Sequence, residues 1–473
     1  MNHNLNSSYI WMICLTAACG GFLFGYDWVV IGGAKPFYEL YFNVNDPNVS
    51  GWLMGSALIG CIFGAAFSGV ISDRWGRKPA LVISALLFIV SAAGNAWANN
   101  IDLFVIARII GGIGIGVAST VSPMYISEIS PPEKRGKLVS INQLTIVIGV
   151  LFAQLVNLFI AEPTPANLST NEMLALWNVQ TGWRYMFAAE LIPAVVFLLL
   201  VTIIPESPRW LIQKSRTAEA SEVLGKIGRG DYATVVMADI QKNISESHNK
   251  GAIKDLMSLK PILVIGVVLA AFQQWSGINV VFNYAQEIFS SAGFDIDDTL
   301  KSIVATGSVN LIFTLIALPL VDKLGRRKLM LLGSISLAII YLMIALAYSA
   351  GTLGLPILIL VLLAIATYAM TLAPVTWVLI AELFPNHIRG LGMAACTFSL
   401  WFASFGLTYT FPFINRAFDA EGSFLIYALI CFSGFIFVWK KVPETSQLTL
   451  EEIENQLQRQ TVKGNSPDCP VKI

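Results

Sequence analysis

Long apolar runs dominate this chain, and they occur in two groups of six. A helix needs about 20 mostly apolar residues to cross a lipid bilayer. Numbered 1 to 12 in chain order, the spans cover approximately residues 9–33, 52–72, 79–98, 103–126, 139–161, 184–204, 261–290, 302–322, 329–350, 355–380, 391–414 and 423–440. The pattern predicts an all-α membrane protein with 12 transmembrane helices.

One long polar segment separates the two groups of spans. Residues 205–260 are rich in Lys, Glu, Asp and Ser and contain a helix-like stretch over 217–227. We therefore predict an N-terminal six-helix bundle (1–204), a cytoplasmic helical linker domain (205–260), a C-terminal six-helix bundle (261–441) and a cytoplasmic tail (442–473).

Basic residues predict the orientation of the chain, because Lys and Arg are retained in cytoplasmic loops. Basic clusters lie between spans 2 and 3, 4 and 5, and 8 and 9, whereas the opposite connections offer only Lys35, Arg184, Lys301 and Arg416. Both termini and the linker should face the cytoplasm. We expect an integral protein of the cell (inner) membrane.

Composition narrows the possible functions. Hydrophobic residues make up 55% of the chain and charged residues 13%, where soluble proteins carry about 25%. The 30 basic and 30 acidic residues balance, which gives no argument for a nucleic-acid partner. Six cysteines and three histidines match no metal-ligand spacing, and the spans show no convergent catalytic cluster. We expect no metal, no cofactor and no enzymatic activity.

Charged motifs recur in register between the two groups of spans. Asp73 to Lys78 after span 2 recurs from Asp322 after span 8, and the Pro-Glu-Ser of residues 205–207 recurs as Pro-Glu-Thr at 443–445. The repeat predicts two pseudo-symmetric six-helix bundles. Each cluster alone could be a positive-inside anchor or a helix cap, but the repetition favours a cytoplasmic gate built of Asp73, Arg77, Glu128, Arg135, Glu206, Asp322, Arg326, Glu382, Arg389 and Glu444.

These motifs resemble the sugar porter branch of the major facilitator superfamily, over approximately residues 20–452. Within that branch, residues 25–27 (GYD) and 182–186 (GWRYM) are most similar to bacterial D-xylose/proton symporters. The resemblance implies the major facilitator fold, with a monosaccharide and a proton as the transported partners. We expect the protein to be a monomer in the lipid bilayer. The other motifs that carry it are residues 73–78 (DRWGRK), 108–112 (RIIGG), 205–210 (PESPRW), 273–279 (QQWSGIN) and 443–445 (PET).

Asp27 and Arg108 are the lone charges in spans 1 and 4. A charge at such a depth costs a few kcal/mol unless it is paired or protonated, so each is a functional candidate. Their distances from the span ends place both at depths that allow contact. One interpretation is a permanent ion pair that holds two helices together. The other, which the family resemblance favours, is proton coupling through Asp27.

A sugar site needs amides for hydroxyl groups and an aromatic face for the sugar ring. Gln273 and Gln274 lie about twelve residues into span 7, near the membrane midplane, and Gly277 should interrupt the helix before Asn279. For any single amide, a hydrogen bond between helices explains the residue equally well. The resemblance implies a sugar site of Phe24, Gln143, Gln273, Gln274, Asn279, Asn283, Asn310, Trp377 and Trp401.

Two further patterns carry structural predictions. The glycine run from Gly111 to Gly116 in span 4 should allow close helix packing, and Pro374 should kink span 10 near Trp377. Where the xylose symporters have a Tyr, a Gly and a Gln, this chain has Asn283, Ala373 and Leu400. The identity of the transported sugar is therefore left open.

The combined prediction is a secondary active transporter. It should import a monosaccharide, D-xylose or a similar pentose or hexose, by proton symport with alternating access. The alternatives are a facilitative sugar uniporter and a transporter-like sugar sensor.

Overall fold

The computed structural model describes residues 5–165, 168–247, 257, 259–384 and 388–444. Within these ranges the chain is helical, and its one β-type pairing is an isolated bridge between Leu5 and Gly228. The first half consists of Ser7–Tyr41, Pro47–Trp75, Arg77–Ala96, Ile101–Ile129, Arg135–Ile160, Thr170–Ala175, a π-helical turn Asn178–Gly182, Trp183–Ala188 and Leu191–Ile203. The linker forms Pro208–Gln213, Thr217–Ile227 and Tyr232–Ser247, and the second half consists of Lys260–Trp275, Ile278–Asn283, Ala285–Ser291, Ile296–Leu324, Arg326–Ser349, Leu355–Met370, Leu372–Leu383 and Arg389–Lys441.

Twelve crossings follow from these helices. In the described part of the chain, 11 stretches are long and apolar enough to span a bilayer, and the last of them, Gly390–Lys441, has 52 residues. Such a helix would be about 78 Å long, more than twice the hydrocarbon thickness. Its backbone breaks at Asp419, where φ is 54° and ψ is −172°. The break divides it into spans 11 and 12, in agreement with the apolar pattern.

Matching turns close the repeated motifs in the two halves. Gly76, with φ of 110°, joins spans 2 and 3, and Gly325, with φ of 85°, joins spans 8 and 9. Both glycines adopt a backbone conformation that residues with a Cβ rarely take. We call the end of the molecule that carries these turns and the linker helices the basic face, and the other end the opposite face.

Glycines bring the helices of the first half into backbone contact. A Cβ added to Gly112 of span 4 would lie 1.8 Å from the carbonyl oxygen of Ala57 in span 2. One added to Gly116 would lie 2.5 Å from the backbone nitrogen of Ala65. Spans 2 and 4 can therefore pack this closely only without side chains at these positions. The interpretation of the glycine run as a packing surface is confirmed.

Two spans of the second half are interrupted near their middles. Gly277 has φ of 88° and separates the helices Lys260–Trp275 and Ile278–Asn283, as predicted. Span 10 breaks at Thr371, three residues before Pro374. Proline has no N–H to bond the carbonyl four residues earlier, which is that of Met370, the last residue of the preceding helix. The predicted kink is confirmed and lies one turn before the proline.

The two halves meet along spans 2 and 11 and along spans 5 and 8. Gly51 of span 2 lies against the backbone of Tyr409 in span 11. Gln154 of span 5 donates to Thr306 of span 8 at 3.4 Å. These contacts lie nearer the opposite face than the basic face.

Candidate functional site

Asp27 and Arg108 form an ion pair in the interior of the first half. Their residues are 0% and 2% exposed. Arg108 donates from Nη1 to the Asp27 carboxylate and also to the Asp27 backbone carbonyl, at 3.2 Å. The contact predicted from the depths of the two residues therefore forms. A buried carboxylate bonded to a guanidinium avoids most of the cost of two isolated charges in the membrane.

The ion pair leaves part of its hydrogen-bonding capacity unused. The second carboxylate oxygen of Asp27 and Nε of Arg108 are buried and have no partner among the described residues. A Cβ on Gly111 would lie 2.5 Å from that free oxygen, so this glycine of span 4 makes room for the carboxylate. The free oxygen is a place where a proton can bind while Arg108 remains nearby.

Glu190 is a second buried carboxylate in this region that the sequence analysis did not single out. It is 1% exposed, lies between two helices of span 6, and one of its oxygens has no partner in the described structure. It is close enough to Asp27 and Arg108 for direct charge–charge interaction. Glu190 lies within the apolar run of span 6, so the argument applied to Asp27 would have found it.

The amides of span 7 form a continuous hydrogen-bonded row. Asn279 donates to the side-chain oxygen of Gln274, and Gln274 donates to that of Gln273 at 2.7 Å. All three side chains are buried beside the helix break at Gly277. The structure brings together the three amides that motif 273–279 contributes. Each of these amides keeps hydrogen-bonding capacity that the row does not use, and a ligand with hydroxyl groups could bond to it.

Three aromatic rings, two from the first half and one from the second, form a cluster across the halves. Phe24 and Trp28 of span 1 each lie 5.8 Å from the Trp401 ring of span 11, measured between ring centroids. The indole N–H of Trp401 is buried without a partner in the described structure. Trp28 was missed by the sequence analysis, although it lies four residues after Phe24 and so shares its helix face.

A small cavity connects the ion pair with the second half. Arg108, Trp28, Cys61 and Asn283 are among the residues that line it. The side-chain oxygen of Asn283 is buried and has no partner among the described residues. The partnerless polar atoms of Asn283 and Trp401 are available to a ligand that carries hydroxyl groups, because buried polar groups normally have partners.

Three other predicted sugar ligands lie on spans 5, 8 and 10. Gln143 and Trp377 are half-buried, and Asn310 is buried. Sugar binding by these three residues stays a prediction.

Charged networks occur at the basic face of both halves. Arg77 donates two hydrogen bonds to Glu128, at 2.9 and 3.0 Å, and one to Asp73 at 3.2 Å. In the second half, Arg326 forms an ion pair with Glu382 at 3.2 Å. The paired sequence motifs therefore produce corresponding ion pairs.

The carboxylates that end each repeat bind the glycine turns. Glu206 accepts from the backbone N–H of Arg77 at 2.9 Å, and Glu444 accepts from that of Arg326 at 3.0 Å. Burial raises the pKa of Glu206, and the opposing effects of the N–H donors and the Arg77 charge are smaller. In each half, a carboxylate that follows the sixth span therefore caps the glycine turn that follows the second span.

The ion pairs described above at the predicted gate join residues of the same half, Arg77 to Asp73 and Glu128, and Arg326 to Glu382. Arg135 is exposed at the start of span 5. The side chains of Asp322 and Arg389 lie outside the described part of the structure. Pairing between halves stays a prediction for a state that is closed at the basic face.

The fold and the buried site define a class of protein. Two six-helix halves, with interrupted helices in the second half and a small cavity that both halves line, are the architecture of a membrane transporter with the major facilitator fold. The chain belongs to the sugar (and other) transporter family, whose model matches residues 13–457. It is an integral membrane protein.

Similar proteins agree with this assignment over nearly the full length. The chain is 40% identical to the D-xylose-proton symporter of Escherichia coli strain K12, covering 98% of this chain and 99% of that protein. It is 36% identical to the arabinose-proton symporter of Bacillus subtilis strain 168, covering 94% of each. The inward open conformation of the xylose transporter XylE from E. coli superposes with a TM-score of 0.83 at 38% identity, covering 94% of this chain and 99% of that one.

Proposed function

We propose that this protein imports a monosaccharide together with a proton. The substrate is D-xylose or a similar pentose or hexose, the membrane is the cell (inner) membrane, and the transporter acts as a monomer with both termini in the cytoplasm. The observation that carries the proposal is the buried Asp27–Arg108 pair beside a small cavity that Trp28 of the first half and Asn283 of the second half line. The names of the two bacterial relatives, both proton symporters of pentoses, support it.

The sugar is bound between the two halves. Trp401 and Phe24 offer flat apolar faces to the C–H side of the ring, and the row of Gln273, Gln274 and Asn279 offers bidentate partners to its hydroxyls. Because the first half contributes Phe24 and the second contributes the amides, a bound sugar holds the halves in one relative position. A neutral ligand needs no charged partner, which suits the amide lining.

The proton binds at Asp27. Protonation neutralises the carboxylate and removes its attraction to Arg108, and the return of the guanidinium favours the ionised form and so releases the proton. The carboxylate oxygen without a partner gives the proton a site that leaves the contact between Arg108 and the backbone carbonyl intact. Glu190, close by, adds a second carboxylate through which the proton could pass.

Alternating access then exposes the cavity to each side in turn. Contacts between the halves lie near the opposite face, whereas the basic-face networks described here link residues within one half. This arrangement suits a state closed to the outside, and the likeness to an inward open conformation supports it. The basic face would then be cytoplasmic, as the positive-inside rule predicts.

The test is a panel of pentoses and hexoses added to energised cells in weakly buffered medium while external pH is recorded. Alkalinisation on addition of one sugar is expected, because each imported sugar removes a proton from the medium. Labelled-sugar uptake without alkalinisation would favour the alternative, a facilitative uniporter. Binding without uptake would favour a sugar sensor.

A further inference from the structure

Lys35 is a buried charge that the proton–sugar site does not use. It is 3% exposed and lies near the opposite-face end of the Ser7–Tyr41 helix. Its ammonium pairs with Glu39 at 3.1 Å, one turn further along the same helix, and with Glu287 of the helix Ala285–Ser291, at the end of span 7. The ring of Tyr284 lies below the ammonium, 5.3 Å from the ring centroid.

The pair between Lys35 and Glu287 crosses from one half to the other. Span 1 belongs to the first half, and Glu287 belongs to the second half. By contrast, Glu39 also accepts a hydrogen bond from Ser50 of span 2 at 2.6 Å, so its partners are in the first half. Among these three charges, only the contact with Glu287 would be broken if the two halves moved apart.

The halves are in close contact directly beneath this pair. A Cβ on Gly32, one turn before Lys35, would lie 3.0 Å from the carbonyl oxygen of Phe282 in span 7. Tyr409 of span 11 also donates a hydrogen bond to Asn48, at the start of span 2. The cavity bordered by Arg108 and Cys61 lies deeper along spans 1 and 2. Lys35 and Glu287 therefore lie between that cavity and the opposite face.

We propose that Lys35 and Glu287 form an outer gate, an ion pair across the two halves that must break each time the sugar cavity opens to the outside. The proposal rests on the proposed function only for alternating access and orientation. A buried ion pair whose partner is removed leaves an uncompensated charge, so this contact has a large influence on the balance between closed and open states. The outer gate thus controls how often the empty transporter presents its cavity to external sugar.

The chain offers matched variants. Lys35→Met removes the ammonium and leaves two facing carboxylates, which favours separation of the halves. Glu287→Gln removes the cross-half pair but leaves Lys35 bonded to Glu39, so it carries the test if Lys35→Met fails to fold. Glu39→Gln is the control, because it removes a charge from the same cluster without affecting the cross-half pair. Lys35→Glu combined with Glu287→Lys restores an opposite-charge pair across the halves.

Cys61 is a native reporter for the opening. It is buried and lines the cavity beneath the gate. In a background where Cys61 is the one remaining cysteine, right-side-out vesicles are treated with a membrane-impermeant thiol reagent and the rate of labelling is measured. Lys35→Met and Glu287→Gln should each raise this rate roughly tenfold or more over the parent protein. Glu39→Gln should stay within about twofold, and the charge-exchanged double variant should return toward the parent rate.

Equal labelling rates in the parent, Lys35→Met and Glu287→Gln would overturn the proposal. So would an increase in Glu39→Gln as large as that in Glu287→Gln, because the effect would then come from charge in general. The labelling needs neither sugar nor a proton gradient. A failure of sugar–proton symport would appear in the uptake assay and leave the labelling pattern unchanged, so the two failures can be told apart.

Discussion

Replacing Asp27 by Asn tests whether the Asp27 carboxylate carries the proton that is coupled to sugar import. The substitution preserves the size of the side chain, and its amide oxygen can still accept a hydrogen bond from Arg108, but the group no longer ionises. An Asn side chain neither binds nor releases a proton at physiological pH, so the variant lacks the group that would carry the proton at this position. We expect the variant to bind and exchange sugar while losing accumulation against a gradient.

The size of the expected loss follows from one proton per sugar. A pH difference of one unit supplies about 1.4 kcal/mol per proton, and a membrane potential of about 100 mV supplies roughly 2.3 kcal/mol per charge. The sum of about 3.7 kcal/mol supports an accumulation ratio of a few hundred-fold. In Asp27→Asn the ratio should fall to about one.

The measurement uses proteoliposomes with an imposed pH gradient and potential. Wild-type protein should accumulate labelled sugar, and Asp27→Asn should reach equal concentrations inside and outside. Counterflow, in which internal unlabelled sugar drives entry of labelled sugar without a proton gradient, serves as the control for folding and binding. If Asp27→Asn accumulates sugar as well as the wild type does, the coupling site is elsewhere, and Glu190→Gln becomes the variant to test.

Three further outcomes are expected. Gln274→Ala should weaken sugar affinity by about 1 to 3 kcal/mol in equilibrium binding, because a sugar hydroxyl and the neighbouring amides lose a partner. Gly112→Ala should lower the melting temperature in detergent, since the new Cβ would lie 1.8 Å from the Ala57 carbonyl, whereas Gly69→Ala, with open space around it, should not. Because the pKa of Glu206 is raised in the folded protein, the stability that this residue contributes is present at low pH and is lost as pH rises through the folded-state pKa. The melting temperature of the wild type should therefore fall with pH above about 4.5, and that of Glu206→Gln should fall less.

Much of the architecture could be predicted because the bilayer imposes a simple rule. A helix that spans lipid must be apolar for about 20 residues, and the basic loops indicate its direction. Gly277, Pro374 and the glycine run also follow from local chemistry, since proline lacks an N–H and glycine lacks a Cβ. The lone charges Asp27 and Arg108 could be singled out for the same reason, because charge in lipid is costly.

Other residues of the site depend on contacts that apolar runs do not reveal. Trp28 is one aromatic residue among many in the spans, and only the position of Trp401 on a distant span makes it part of a cluster. The sequence analysis placed Lys35 in a connection between spans, yet it is buried between the halves beside Glu287. The helix of span 1 continues to Tyr41, well past the end of its most apolar stretch, so hydropathy misjudged the environment of this residue.

The sequence by itself determined the number of spans, the duplication into two halves and the charged residues within the spans that must be paired or protonated in the membrane. Only the tertiary structure decided which of these residues meet: Asp27 with Arg108 inside one half, and Lys35 with Glu287 across both. The physical reason is that burial of single helices depends on composition, whereas pairing of charges depends on how separate helices pack, and packing is set by contacts between residues far apart in the chain.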